Sequence, residues 1–197
     1  MKDNFYITGL FYQLDEFKCR KYLNIKKRGT AIEIPDLMVI MMNPGKSKPI
    51  DGIDDNYHES EASPDQTQNQ IMRIMLNCGF EYSRILNLSD ARETSSGKFY
   101  QMIPYFKSQN ILHSIFDNQR KDDLENLLIR DTKTIFSWGV NNSLTELTKN
   151  AVEKIGLKNS YGIKKDGTEF AYYHPLPPNY HKQNEWVEEI TKQIKTA

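Results

Sequence analysis

The sequence predicts an α/β fold of three layers, α/β/α, around a mostly parallel central sheet of four strands, with further strands at the N-terminus. Two observations carry that expectation. Four short apolar runs, "LMVIMM" (37–42), "SRILNLS" (83–89), "KTIFSWG" (133–139) and "FAYYHP" (170–175), alternate with stretches of helical spacing. That alternation builds a parallel sheet covered on both faces. Three of the runs also end in polar or Gly/Pro-bearing turns: Asn43-Pro44-Gly45, Asn87-Leu88-Ser89 and His174-Pro175. Ligands of such sheets bind outside the carboxyl ends of the strands.

Taken in order, residues 1–35 read as strands, with "RKYLNIKKRG" as one arm of a hairpin, and form an extension to an α/β core over 36–197. Residues 46–65 are polar and carry Pro49, Gly52 and Pro64, which predicts a long loop of the kind that often serves function. "DQTQNQIMRIMLNCGF" predicts a helix with Ile71, Ile74, Met75 and Cys78 on one face and Gly79 as its stop. Helices are further expected over 109–117, 121–130 and "SLTELTKNAVEKIG", the last stopped by Gly156, and "NEWVEEITKQIK" closes the chain as another. "KKDGT" is a turn signal. With no internal repeat and no linker, residues 1–197 read as one domain.

Composition narrows the function classes. The chain of 197 residues is 38% apolar and 26% charged, a globular and not a disordered balance. No membrane-length apolar run and no signal-peptide pattern is read, so a cytoplasmic location is expected. Two cysteines, Cys19 and Cys78, lie far apart, which argues against a zinc site or a disulfide framework; no metal or cofactor is expected. Lys plus Arg equal Asp plus Glu at 26 each, so any patch for nucleic acid must be local.

The loop after the first core run invites a test. "GKS" is the tail of a phosphate-binding loop, but that motif needs a glycine where Ile40 stands, and Pro44 removes an N–H the nest would use. It is not a P-loop. "MMNPGKS" instead resembles the first active-site motif of the uracil-DNA glycosylase superfamily, in the Gly-Ile-Asn-Pro-Gly form of its mismatch-specific branch. "RILNLSDAR" is similar to that superfamily's strand ending in a base-reading Asn, "TIFSWGVNN" to its apolar strand ending in Trp-Gly, and "YYHPLPPNY" to its last motif, His-Pro-Ser-Pro-Leu-Ser. Over roughly residues 19 to 180 the chain more closely resembles the family known as domain of unknown function 1643.

The resemblance implies a uracil-DNA-glycosylase-like fold and a set of roles. Asn43 would position a water, His174 would donate to the carbonyl of the departing base, and Asn87 would read the base edge. Tyr57 or Phe99 would stack on a flipped base. Pro44, Gly45, Lys46 and Ser47, with Pro175, Leu176, Pro177, Pro178 and Asn179, would form the loops that meet a DNA backbone. Residue by residue, the chain also departs from the pattern. Asn43 stands where the most active branch has Asp, Met41 where the motif opens with Gly, Leu176 where the family has Ser, and Pro178 where it has the wedge-forming Leu. Six acids, Asp51, Asp54, Asp55, Glu59, Glu61 and Asp65, follow the loop at once and would repel phosphates unless folded away. The offsetting basic residues lie in "KCRKYLNIKKRG".

Plainer roles stand beside these. Asn43 and Asn87 suit turns closed by their own side chains, and His174 suits a satisfied histidine among prolines. Trp138 suits core or pocket wall. Three functions follow as expectations. The first is a glycosylase-like protein without efficient uracil excision, binding nucleic acid or a DNA-mimicking inhibitor protein that reads the glycosylase face. The second is an active DNA glycosylase hydrolysing an N-glycosidic bond. The third is an enzyme of a soluble nucleotide.

Overall fold

The computed structural model describes residues 2–197. One mixed sheet of seven strands, in the order β4-β1-β2-β5-β3-β6-β7, runs through it. β1 (Phe5–Leu14) and β2 (Phe17–Lys27) form an antiparallel hairpin across the turn at Asp15, whose φ is 52°. β2 pairs antiparallel with β5 (Tyr82–Asn87), and from there the pairing is parallel through β3 (Leu37–Met41), β6 (Lys133–Phe136) and β7 (Ser160–Tyr161). β4 (Glu59–Glu61) pairs antiparallel with β1 at the far edge.

Two expectations are corrected here. The sheet is not a four-stranded, mostly parallel one, because the N-terminal hairpin is no extension: it continues the sheet through β5. The fourth parallel strand is also not "FAYYHP". That stretch forms only isolated bridges, from Tyr172 to Gly139 and Lys164, and β7 takes the edge instead.

Side-chain alternation places helices on both faces. Leu37, Val39 and Met41 of β3 pack with Ile85 and Ile135 against α1 (Gln66–Cys78) and α5 (Tyr180–Thr196). Met38 and Ile40 point the other way, with Leu86 and Phe136, toward α2 (Ser96–Ser108), α3 (Lys121–Leu127) and α4 (Thr145–Ile155). β3 is buried along its whole length, as a continuous apolar run in a covered sheet should be. α1 starts at a reciprocal Asp65/Gln68 capping box and stops at Gly79, whose φ of 79° is left-handed. α5 is capped by Asn179, which accepts from the His181 N–H at 2.9 Å. α2 replaces the helix expected at 109–117; Pro104 inside it hides it from a reading of helical pattern. No helix among the described residues is long and apolar enough to cross a membrane.

Candidate functional site

A cleft of about 410 Å³ opens at the carboxyl ends of β3 and β6, walled also by the first turn of α1, the start of α2 and the segment around His174. Pairing with extensions of its neighbours carries on just past the end of β3. The Leu88 and Ser89 N–H groups donate to the carbonyls of Met41 and Met42, at 2.8 and 3.1 Å, and Ser137 N–H donates to Ile40 at 2.9 Å. Asn43 follows at the rim. Its Nδ2 donates to the carbonyls of Glu93, at 2.7 Å, and Ala91, at 3.2 Å, so the side chain is fixed with Oδ1 left to accept. Pro44-Gly45 then turn the chain: Gly45 has a φ of 60°, and Ser47 N–H donates back to Pro44 at 3.2 Å.

His174 faces the same cleft on a strap held from three sides. Gly139 N–H donates to Tyr172 at 2.8 Å, Tyr173 N–H donates to Ile163 at 2.8 Å, and Trp186 Nε1 donates to Tyr173 at 3.2 Å. The Leu176 N–H donates to His174 Nδ1 at 3.1 Å. A ring nitrogen that accepts carries no proton, so a neutral imidazole keeps its proton on Nε2. Burial pushes this histidine down to about 4, against the pull of the Asp65 carboxylate, and it is neutral at pH 7. Trp138, fully buried, lines the cleft and donates from Nε1 to Phe170 at 2.8 Å. It is pocket wall and core at once.

The cleft also holds a residue that the sequence did not single out. Arg20 of β2 is only 2% exposed and lines it. The hairpin register explains how it got there. β1 pairs Leu10 with Tyr22 and Phe11 with Arg20, so Lys21 is an extra residue, a bulge that turns Arg20 to the side of Leu23 and Ile25. Its Nη2 donates to Asn87 Oδ1 at 2.8 Å, while Nε and Nη1 have no partner. Asn87 is thus placed behind Arg20 and not on the cleft wall, with its own Nδ2 unpartnered. Burial lowers the Arg20 pKa to about 10, countered by Asp65 and Asp90, so the guanidinium stays charged at neutral pH.

Other expected residues fall inside and outside this constellation. Pro44, Gly45 and Leu176 line the cleft. Lys46 is exposed beyond its wall, and Ser47 is buried with its hydroxyl unpartnered. Pro175 is buried, and the Pro177 carbonyl accepts from Gln183 at 2.8 Å. Pro178 is exposed, and Asn179 serves as the α5 cap. Neither expected stacking residue reaches the cleft: Tyr57 is 91% exposed outside it, and Phe99 is buried in the core beneath α2. The aromatics that line the pocket are Trp138 and Tyr100, the latter one position on from Phe99.

The acidic run folds back on the sheet. Asp54 pairs with Arg92 at 2.6 Å and Lys18 at 3.3 Å, and Glu59 accepts from Thr8, Tyr22 and Asn24. Asp51 and Asp55 flank His58. The basic stretch is likewise engaged: Lys21 meets Asp123, Lys27 meets Glu81, Lys26 lies over Tyr82 and Arg28 over Tyr6. Among the described residues no group of His, Cys, Asp and Glu side chains is placed to hold a metal ion.

Fold and cleft together define a class: an α/β protein with a ligand-type cleft beyond the carboxyl ends of its parallel strands. Within that class, the sequence profile of the family described as "Protein of unknown function (DUF1643)" matches residues 25–176, and the chain belongs to that family. No curated protein and no solved structure matches the chain.

Proposed function

We propose that this protein is a uracil-DNA-glycosylase-like, nucleobase-binding domain that acts by holding a base in the cleft, without efficient excision of ordinary uracil. The observation that carries this reading is the pairing of Asn43 and His174 on one cleft, one presenting a fixed acceptor and the other a neutral Nε2–H donor. A base edge offers donors and carbonyl acceptors, and such a pair suits both. Weak excision follows from the same residues. Asn43 carries no charge to stabilise a cationic sugar, and its amide nitrogen is committed to two carbonyls. Leu176 and Pro178 supply neither the hydroxyl nor the wedge that engage a duplex in the glycosylase pattern. Its partner is then nucleic acid or a DNA-mimicking protein that reads this face. The second reading, an enzyme of a soluble nucleotide, is favoured by Arg20, which lies too deep for a duplex backbone.

The test uses labelled oligonucleotides bearing one uracil, single-stranded and opposite guanine, with wild type, Asn43→Ala and His174→Ala. The expected result is measurable binding that His174→Ala weakens about tenfold, with abasic sites below one per protein molecule over hours. Multiple turnover suppressed by both substitutions would replace the reading with an active glycosylase. Absence of binding to oligonucleotides, nucleosides and nucleotides alike would end it.

A further inference from the structure

We infer that the floor of this cleft is an anion site, formed by Arg20 and the first turn of α1, that takes the terminal phosphate of a nucleotide. The nucleotide part rests on the nucleobase reading above; the anion site does not. Two buried donor nitrogens of Arg20, Nε and Nη1, lie there without partners, and behind them Nδ2 of Asn87, the residue to which Arg20 is hydrogen-bonded, has none either. The Asn87 amide cannot be turned round to relieve this, because Arg20 only donates and must meet Oδ1. Among the described residues no carboxylate forms an ion pair with Arg20. Buried charged donors left unpaired cost more than most single contacts return, so a site retaining them is built for an acceptor.

The α1 N-terminus supplies the second half. Thr67 and Gln68 line the cleft, and the Asp65 cap engages only the Gln68 N–H with its side chain. The N–H groups of Gln66 and Thr67 have no partner within the helix, as first-turn geometry requires, and the helix dipole adds positive potential at that end. Two carboxylates share the walls, Asp65 and Glu93, each with an oxygen held by a backbone N–H. They repel a run of phosphates but leave room for one compact anion against Arg20. Depth makes the same choice: a residue 2% exposed is reached by a terminal phosphate and not by the side of a duplex.

Calorimetric titration of the full chain tests this with inorganic phosphate, deoxyuridine and deoxyguanosine, and the two 5′-monophosphates. Each monophosphate should bind about 10- to 100-fold tighter than its nucleoside, the range of one or two charge-assisted hydrogen bonds. Arg20→Met should erase that advantage. Thr67→Glu, which suits a helix N-terminus and so keeps the fold, should erase it too by placing a carboxylate in the site. Should Arg20→Met fail to fold, Thr67→Glu decides alone. A single-stranded oligonucleotide with and without a 5′-phosphate tells a strand end from a free nucleotide as the source. Phosphate binding with no gain from any base supports the anion site and removes the nucleobase reading. Equal affinity of nucleoside and monophosphate, no binding of any phosphate, or an advantage that survives both substitutions overturns the inference.

Discussion

Arg120 and Arg20 are both buried, at 9% and 2% exposed, yet the protein surrounds them in opposite ways. Arg120 is answered on every side. It donates to Asp90 at 2.7 Å and to Asp123 at 2.9 Å, and Tyr12 donates to the same Asp90 oxygen at 2.7 Å. Burial works against its charge, but Asp90, Tyr12 and Asp123 outweigh burial and the net direction of its pKa is up. Arg20 has one neutral partner and two idle nitrogens, and its pKa moves down. The first arginine ties the hairpin to the segment after β5. The second is a charge held in readiness, and the difference separates a structural network from a binding floor.

Removing each arginine should break that comparison most visibly. Arg120→Met leaves the fully buried Asp90 without its counter-charge, and we expect a loss of about 3–5 kcal/mol in urea unfolding. Arg20→Met loses one hydrogen bond to Asn87 and sheds an unpaired buried charge. It should cost no more than about 1 kcal/mol, or raise stability. Equal losses would mean that Arg20 is as structural as Arg120.

Acid should test the two regions together, since each holds one neutral histidine, His113 buried and His174 half-buried. In the network, His113 Nδ1 meets Ser89 Oγ at 2.8 Å and the ring stacks on Phe106; in the cleft stands His174. Burial pushes both from 6.5 to about 4, with Arg120 adding to the effect on His113. A histidine lowered on folding binds its proton better when unfolded, so its contribution is complete above the unfolded value. That contribution is lost as pH falls from 6.5 toward 4. The difference in pKa corresponds to at most about 3–4 kcal/mol for each. Unfolding followed from pH 7 to pH 4 should therefore steepen below 6.5, and His113→Gln and His174→Gln should each flatten the slope. A slope unchanged in His174→Gln would show that its cleft admits enough water to keep the ordinary pKa.

A smaller effect separates the rim of the cleft from its floor. Asn43→Asp would put a carboxylate oxygen where Nδ2 now donates to Ala91 and Glu93, acceptor against acceptor. We expect a loss of about 1–3 kcal/mol and no gain in uracil excision. A gain in excision would mean that the loop can move to use the new charge, and that Asn43 alone silences the site.

How much of this was legible in the sequence follows from what kind of signal each feature leaves. "LMVIMM" ended by Asn-Pro-Gly gives both a buried strand and the rim that presents Asn43, because an apolar run and a proline-glycine turn are local facts. His174 beside Pro175 is legible for the same reason. "FAYYHP" misleads because a strap that packs Phe170 and Tyr172 on the core needs apolar residues just as a strand does. Arg20 is invisible among the six basic residues of "KCRKYLNIKKRG". Only the bulge at Lys21 turns it inward, and a bulge is set by a partner strand's register, not by its own sequence. Tyr100 on the cleft wall is missed by one position because Pro104 conceals the helix that carries Phe99 and Tyr100. A reading of charge alone shows nothing of how Asp54 and Glu59 of the acidic run engage Arg92, Tyr22 and Asn24, while Asp51 and Glu61 stay exposed.

The finest test asks whether an anion is felt by one histidine and not the other. His174 shares its cleft with Arg20 and the first turn of α1, while His113 lines a separate cavity with Asp117 and Lys107. A phosphate drawn to the floor brings negative charge near His174 and favours its protonated form. Proton NMR titration of the two imidazoles, with and without inorganic phosphate at matched ionic strength, should then move His174 up by about half a pH unit and leave His113 still. Arg20→Met should abolish the displacement, since it removes the residue that draws the anion in. If both histidines move together, the phosphate acts through bulk screening or a diffuse surface effect. The two regions would then not differ in the way their arginines suggest.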